Sequence, residues 1–368
     1  MNIIDYIRWR GELTFRASPF NEVDNLIFSC LVYLDFSFLD PKTPVSLKKA
    51  AEMYFSRNEE LEEDRKSLNY YRQQLLKTAA GSDRFQYVKI SHYVREVSLE
   101  EEKQFAAATF RLPTGDYFIA FQGTDSSVVG WKENFNMSYT CPVASQVRAL
   151  TYLKRFSNTT RRPFYVGGHS KGGNLAVYAS AMLMDRDRII TIYNNDGPGF
   201  PEEFTSDAPY QKIHDKILTF IPQKSIVGRL MNNDSDIIII NSKATDALWQ
   251  HDIFSWEIDV TRMSRAEETS IVGDYYHEVL DNWYHKMTNE EKLTFINAVY
   301  ETIQELGIKS TNEITGHKVT VLRKMAPKLA GFDDETRKTA LNVMAALLKS
   351  NAKAFYNVYI DKMLDTIK

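Results

Sequence analysis

Phe164-Tyr165-Val166-Gly167-Gly168-His169-Ser170-Lys171-Gly172-Gly173-Asn174-Leu175-Ala176 is the stretch whose reading decides the fold. An apolar run enters a glycine-rich turn, and an apolar helix-forming run, Leu175 to Leu183, leaves it. Gly168, Ser170 and Gly172 make a GxSxG triplet, which is weak alone and informative between a strand and a helix. The spacing predicts a nucleophile elbow, in which a strained turn lifts the serine hydroxyl above the sheet. Small flanking residues suit the crowding of strand and helix there, and the new helix aims its first N–H groups at the serine. The competing reading is a glycine-rich turn with an incidental serine.

Working outward, Tyr117-Phe118-Ile119-Ala120-Phe121-Gln122-Gly123-Thr124-Asp125 reads as a strand running into a loop, followed by Trp131 and Asn134. An acyl-transfer serine needs two N–H donors for its oxyanion. Lys171, just after the serine, and Thr124, in the loop after the earlier strand, are the candidates. Phe105–Leu112 and Tyr117–Gly123 flank Pro113-Thr114-Gly115-Asp116 and predict a hairpin. Further strands are expected at 85–94, Ile189–Tyr193, Ile217–Ile221 and Ile237–Ile240, with a helix near Gln146–Phe156. Such alternation predicts an α/β protein with a mostly parallel sheet and helices on both faces.

The flanks have another texture. Met1–Arg10, Val23–Leu34 and the charged stretch Lys48–Leu76 predict helices, the charges of the last facing solvent. From about 264 the chain reads as wholly helical, in segments near 264–286, 288–307, 316–330 and 333–366 separated by Gly307, Gly316 and Gly331. The expected organisation is a helical N-terminal extension (1–80) packed on an α/β core (81–262), then a C-terminal helical region (263–368). No internal repeat or low-complexity tract is visible.

Composition excludes several classes. Of 368 residues, 43% are hydrophobic and 25% charged, which is globular usage rather than disorder. A net charge of −3 gives no electrostatic ground for nucleic acid or an anionic membrane as partner. Cys30 and Cys141 form no CxxC pattern, which fits a reducing compartment. Asp5, Arg8 and Arg10 interrupt any signal-peptide core, and apolar runs such as Ile237–Ile240 are too short for a membrane span. The expectation is a soluble, cytoplasmic protein. His277-Glu278 opens no HExxH zinc site, because residue 281 is Asp.

A strand ending FQGTD with a following Trp, and then GHSKGG, resembles the class 3 (fungal-type) lipases of the α/β-hydrolase superfamily over about residues 115–260. FRASPFNEVDNLIFSCLVYLDF, GHSKGGNLAVYA, NNDGPGF and WQHDIFSWE resemble more closely a bacterial lipase-like family of that superfamily, over roughly 10–260. The resemblance implies an α/β-hydrolase fold and a Ser–His–acid site, but no particular substrate. Among seven histidines (92, 169, 214, 251, 277, 285 and 317), the base must follow the serine on a late loop. His251 lies just past the last strand and, as in those lipases, a tryptophan, Trp256, follows it. His169, inside the elbow, is expected to point away from the serine and support the turn.

For the acid, the lipase pattern carries an aspartate where this chain has Ser225. Asp196, ending the preceding strand, is the leading candidate. Its alternative role is to open the Gly197-Pro198-Gly199 turn, and Asp234 and Asp252 remain as other acids. Lys171 also departs from the lipases, which commonly have an apolar residue there; its ammonium either shifts site electrostatics or pairs with a carboxylate. The expected chemistry is hydrolysis of a small-molecule or lipid ester through Ser170, His251 and Asp196, with no metal or organic cofactor. The alternatives are a non-catalytic binding or scaffold protein on a hydrolase fold, and a peptidase. Oligomeric state, and whether a helix in 125–150 or in the tail covers the site, stay open.

Overall fold

The computed structural model describes residues 1–63, 67–125, 127–247, 249–267, 284, 286–308 and 318–348. The strands β1 (Val45–Ser46), β2 (Lys89–Ser98), β3 (Lys103–Arg111), β4 (Tyr117–Phe121), β5 (Phe164–His169), β6 (Ile189–Asn195), β7 (Ile217–Pro222) and β8 (Asp236–Ile240) form one sheet in sequential order. Pairings from β1 to β4 are antiparallel and those from β4 to β8 parallel. The antiparallel half is larger than alternation alone predicts, because hairpins at Pro113–Asp116 and Leu99–Glu102 need no crossover helix. The parallel half carries the serine, and helices join its first four strands.

β4 shows how the sheet separates two cores. Side chains alternate along a strand, so Phe118 and Ala120 enter one apolar cluster while Ile119 and Phe121 enter the other. The first cluster is closed by the N-terminal helices α1 (Ile3–Arg10), α2 (Glu22–Leu31), α3 (Leu47–Phe55) and α4 (Leu68–Ala80). The second is closed by α6 (Ala144–Ser157) and α7 (Lys171–Met182), which follow α5 (Val128–Asn136). The charged stretch 48–76 is two helices rather than one: α3 ends at Phe55, and Ser67 caps α4 by accepting from Tyr70 N at 3.2 Å.

Buried polar groups tie the N-terminal helices to the sheet. Arg84, 1% exposed, donates to both Asp24 oxygens (2.8 and 2.5 Å) and to the carbonyls of Leu13, Ser18 and Pro19. All five guanidinium donors are thus satisfied, as burial of such a group requires. Asn25 of α2 and Asn195 of β6 exchange amide hydrogen bonds at 2.9 and 3.0 Å, and Asn195 also donates to Gly168 O at 3.0 Å. A helix far upstream therefore braces the end of β5 through Asn195.

Beyond β8 the chain is not at once helical. Ile258–Asp259 and Arg262–Met263 pair as a short antiparallel ladder. Helices α8 (Asn289–Glu305), α9 (Lys318–Met325) and α10 (Asp334–Leu348) share a third apolar cluster with Ile226, against which Trp131 and Phe135 of α5 pack. The helices expected near 264–286 and toward 366, with His277, His285 and His317, lie largely or wholly outside the described residues. Among the described residues no helix is long and apolar enough to cross a membrane.

Candidate active site

Ser170 stands between β5 and α7 with φ +59° and ψ −134°. That region is unfavourable for any residue with a Cβ and costs about 1–3 kcal/mol, a strain held only when neighbours enforce it. Here Ser170 N donates to Asn195 O at 3.0 Å, and Ser170 O accepts from Gly173 N at 2.9 Å. Close approach explains the glycine at 172, where a Cβ would fall on the Phe121 carbonyl of β4. The serine is 7% exposed.

Asp196 follows β6, also at positive φ (+53°), and is fully buried. Its Oδ2 accepts from His251 Nδ1 at 2.7 Å. Ser225 Oγ lies 2.6 Å from both carboxylate oxygens, and Gly228 N donates to Oδ1 at 3.0 Å. A Cβ at Gly228 would collide with that oxygen. A carboxylate only accepts, so the imidazole proton sits on Nδ1 and leaves Nε2 with its lone pair. Of the three carboxylates considered, Asp196 alone meets His251. Asp234 accepts from Gln211 Nε2 at 3.3 Å, and Asp252 caps its own turn by accepting from Phe254 N at 3.0 Å.

His169 braces the His251 loop. Its Nε2 donates to His251 O at 2.8 Å, which leaves Nδ1 to accept from Tyr33 OH at 3.1 Å. The two imidazole rings lie 4.4 Å apart, and Trp256 packs at 6.0 Å from His169. Burial, reinforced by the neighbouring His251, holds His169 well below its ordinary value, so the ring is neutral.

Lys171 is fully buried, with Nζ 2.7 Å from Glu133 Oε2 and donating to Gln104 O (2.6 Å) and Gln104 Oε1 (3.0 Å). Glu133, on α5, also accepts from Ser145 N, Ser145 Oγ and Gln104 N. The ammonium is thus consumed by an ion pair that locks α5 to the elbow. As the first residue of α7, Lys171 has a backbone N–H without an intrahelical acceptor. Thr124, in the loop after β4, lines the same cavities as Ser170, and its Oγ1 is buried without a partner. A Cβ on the preceding Gly123 would lie 3.0 Å from Ser170 Cβ, so this loop abuts the serine.

Two cavities meet at Ser170, Thr124 and His251. One of about 270 Å³ is largely apolar, walled by Trp131, Phe135, Ile226, Val227, Leu230 and Met231. The other, about 180 Å³, lies toward Tyr33, Arg72 and the 249–254 loop. Among the described residues no group of three or more His, Cys, Asp or Glu could hold a metal ion. Sequence reading missed Ser225 as a partner of Asp196, Tyr33 as a partner of His169, and Glu133 as a partner of Lys171. Only the last had a signal: a lysine inside a motif destined for burial needs a carboxylate.

The model of the Mbeg1-like family matches residues 79–301. No curated protein matches the sequence. Among solved structures the chain is similar to M37 lipase, at 17% identity and a TM-score of 0.36, covering 58% of this chain and 71% of that one. It is also similar to a mutant form of MDLA from Penicillium cyclopium, at 12% identity and a TM-score of 0.40, covering 69% of this chain and 90% of that one.

Proposed function

The chain belongs to the Mbeg1-like family, and on that footing we propose that it is a serine hydrolase cleaving carboxylic esters or related acyl bonds. In this reading His251 Nε2 takes the proton of Ser170, whose oxygen attacks the acyl carbonyl. The backbone N–H groups of Thr124 and Lys171 receive the oxyanion. His251 then protonates the departing alcohol and, in the second half, activates the water that frees the acyl group. Asp196 holds the imidazole tautomer and stabilises the imidazolium. No cofactor enters the scheme.

The observation that carries the reading is the hydrogen bond from His251 Nδ1 to the buried Asp196, on the wall of the cavities into which strained Ser170 faces. The apolar cavity suits an acyl chain. A panel of p-nitrophenyl esters of graded chain length tests it. The wild type turns over at least one member, and Ser170→Ala and His251→Ala each lose it by about 10³-fold or more while keeping the wild-type melting temperature. Wild-type inertness across the panel, or undiminished turnover by Ser170→Ala, favours a non-catalytic binding protein on this fold.

A further inference from the structure

Of the two cavities meeting at Ser170, the smaller has no occupant in the scheme above, and its wall carries a cation. Arg72, on α4, lines it beside Tyr33, Leu68, Trp249 and Phe254. The guanidinium carbon sits 4.2 Å over the Tyr33 ring, and Nη1 donates to Asn69 Oδ1 at 3.0 Å. Arg72 Nε is buried and has no partner. A guanidinium on the wall of a cavity that also contains the serine is a planar, permanently charged donor group suited to a carboxylate or phosphate.

No carboxylate among the described residues holds Arg72 in an ion pair, and the Cys30 thiol is in hydrogen-bond reach of its guanidinium. Asp252 feels the field of Arg72, yet its Oδ1 is engaged by Phe254 N at 3.0 Å, and burial favours its protonated form. Burial pushes the Cys30 thiol up to about 12 in spite of its hydrogen bond with Arg72, so it stays uncharged and leaves the guanidinium without a counter-ion there. Tyr33 links Arg72 to the site, because the ring beneath the guanidinium donates its hydroxyl to His169, which holds the His251 carbonyl.

We propose that the smaller cavity receives the alcohol portion of the ester and that Arg72 recognises a phosphate or carboxylate on it, while the acyl chain occupies the larger, apolar cavity. This deepens the hydrolase reading and rests on it. The 249–254 loop that carries His251 forms one wall, so an alcohol leaving on that side departs beside the imidazole that must protonate it. The acyl C–O bond breaks, the alkoxide takes the proton that His251 removed from Ser170, and water later supplies the hydroxyl of the released acid.

Three esters of one acyl chain test the assignment: 1-decanoylglycerol, 1-decanoylglycerol 3-phosphate and the decanoyl ester of glyceric acid, each in monomeric solution. For the wild type, kcat/KM is expected to be about tenfold or more higher for at least one anionic ester than for the neutral one, chiefly through KM. The two anionic arms show whether phosphate or carboxylate is preferred. Arg72→Gln abolishes the advantage, read as the ratio of anionic to neutral ester within the same variant; Arg72→Lys, which keeps the charge without the fork, retains part of it. Equal wild-type values for charged and neutral esters, or a preference that survives in Arg72→Gln, overturn the proposal while the hydrolase reading stands. Should Arg72→Gln fail to fold, the wild-type comparison and Arg72→Lys still decide. No turnover of any ester, with Ser170 unreactive toward a fluorophosphonate, removes both readings together.

Discussion

Ser225, where the resemblance to class 3 lipases implies an aspartate, bridges with its hydroxyl both oxygens of the aspartate one strand earlier. The serine, just past β7, is thus a donor to the aspartate that follows β6. Asp196→Asn is expected to lower kcat by about 10³–10⁴-fold with folding retained, since an amide there favours the wrong imidazole tautomer. Ser225→Ala, which removes one of three donors to Asp196, is expected to cost only about three- to tenfold in kcat with KM unchanged. Steady-state assays on a p-nitrophenyl ester separate the two. His169 makes a different prediction. Its folded-state value lies below 6.5, so as pH falls the unfolded chain binds the proton first. Its contribution to stability is complete above about pH 6.5 and is lost as pH falls from there toward the folded value. Urea midpoints between about pH 8 and about pH 5 should decline less in His169→Gln than in the wild type. At this scale the sequence favoured Asp196 among three carboxylates but left the other two open. Choosing among them needs the 55-residue approach of Asp196 to His251, which no local pattern encodes.

At the scale of elements, the strand–turn–helix around Ser170 and the hairpin at Pro113–Asp116 were legible because their signals are local: apolar period, turn residues, glycine crowding. What joins elements was not. Helix α5 looked like a possible cover for the site, yet Glu133 pins it to the elbow through Lys171 and to α6 through Ser145. α5 is therefore a fixed wall. Removing one partner of a buried ion pair leaves an uncompensated charge and costs about 3–5 kcal/mol, whereas replacing both with apolar residues is often close to neutral. Glu133→Gln and Lys171→Met should each lose about that much in urea denaturation, and Glu133→Met/Lys171→Met should recover most of it. Additive losses in the double variant would show that the pair is not the lock described.

Across the whole molecule, the N-terminal helices share one apolar cluster with the sheet. They close one face of the sheet, and Asn25 reaches the ends of β5 and β6 through Asn195. Their helical character was readable from composition. Their docking was not, because it depends on buried polar residues (Asp24, Asn25, Ser29, Arg84) that a hydropathy pattern counts as surface. In the antiparallel half of the sheet the strand near 85–94 and the hairpin after it were readable, whereas β1 was not. Arg84→Leu strands Asp24 and three carbonyls, so it should destabilise the protein by about 3–5 kcal/mol. Esterase activity should vanish in the same thermal transition that melts the N-terminal helices, whereas activity surviving their release would make them a dispensable appendage.

The central claim is that Ser170 is an activated nucleophile. Incubating the wild-type protein with a fluorophosphonate and locating the adduct by peptide mass spectrometry tests it directly. The account predicts one phosphonyl group per chain, on the peptide containing Ser170, and none on Ser170→Ala or after unfolding. An unmodified Ser170 in folded protein, or an adduct on another residue that Ser170→Ala leaves untouched, would contradict it.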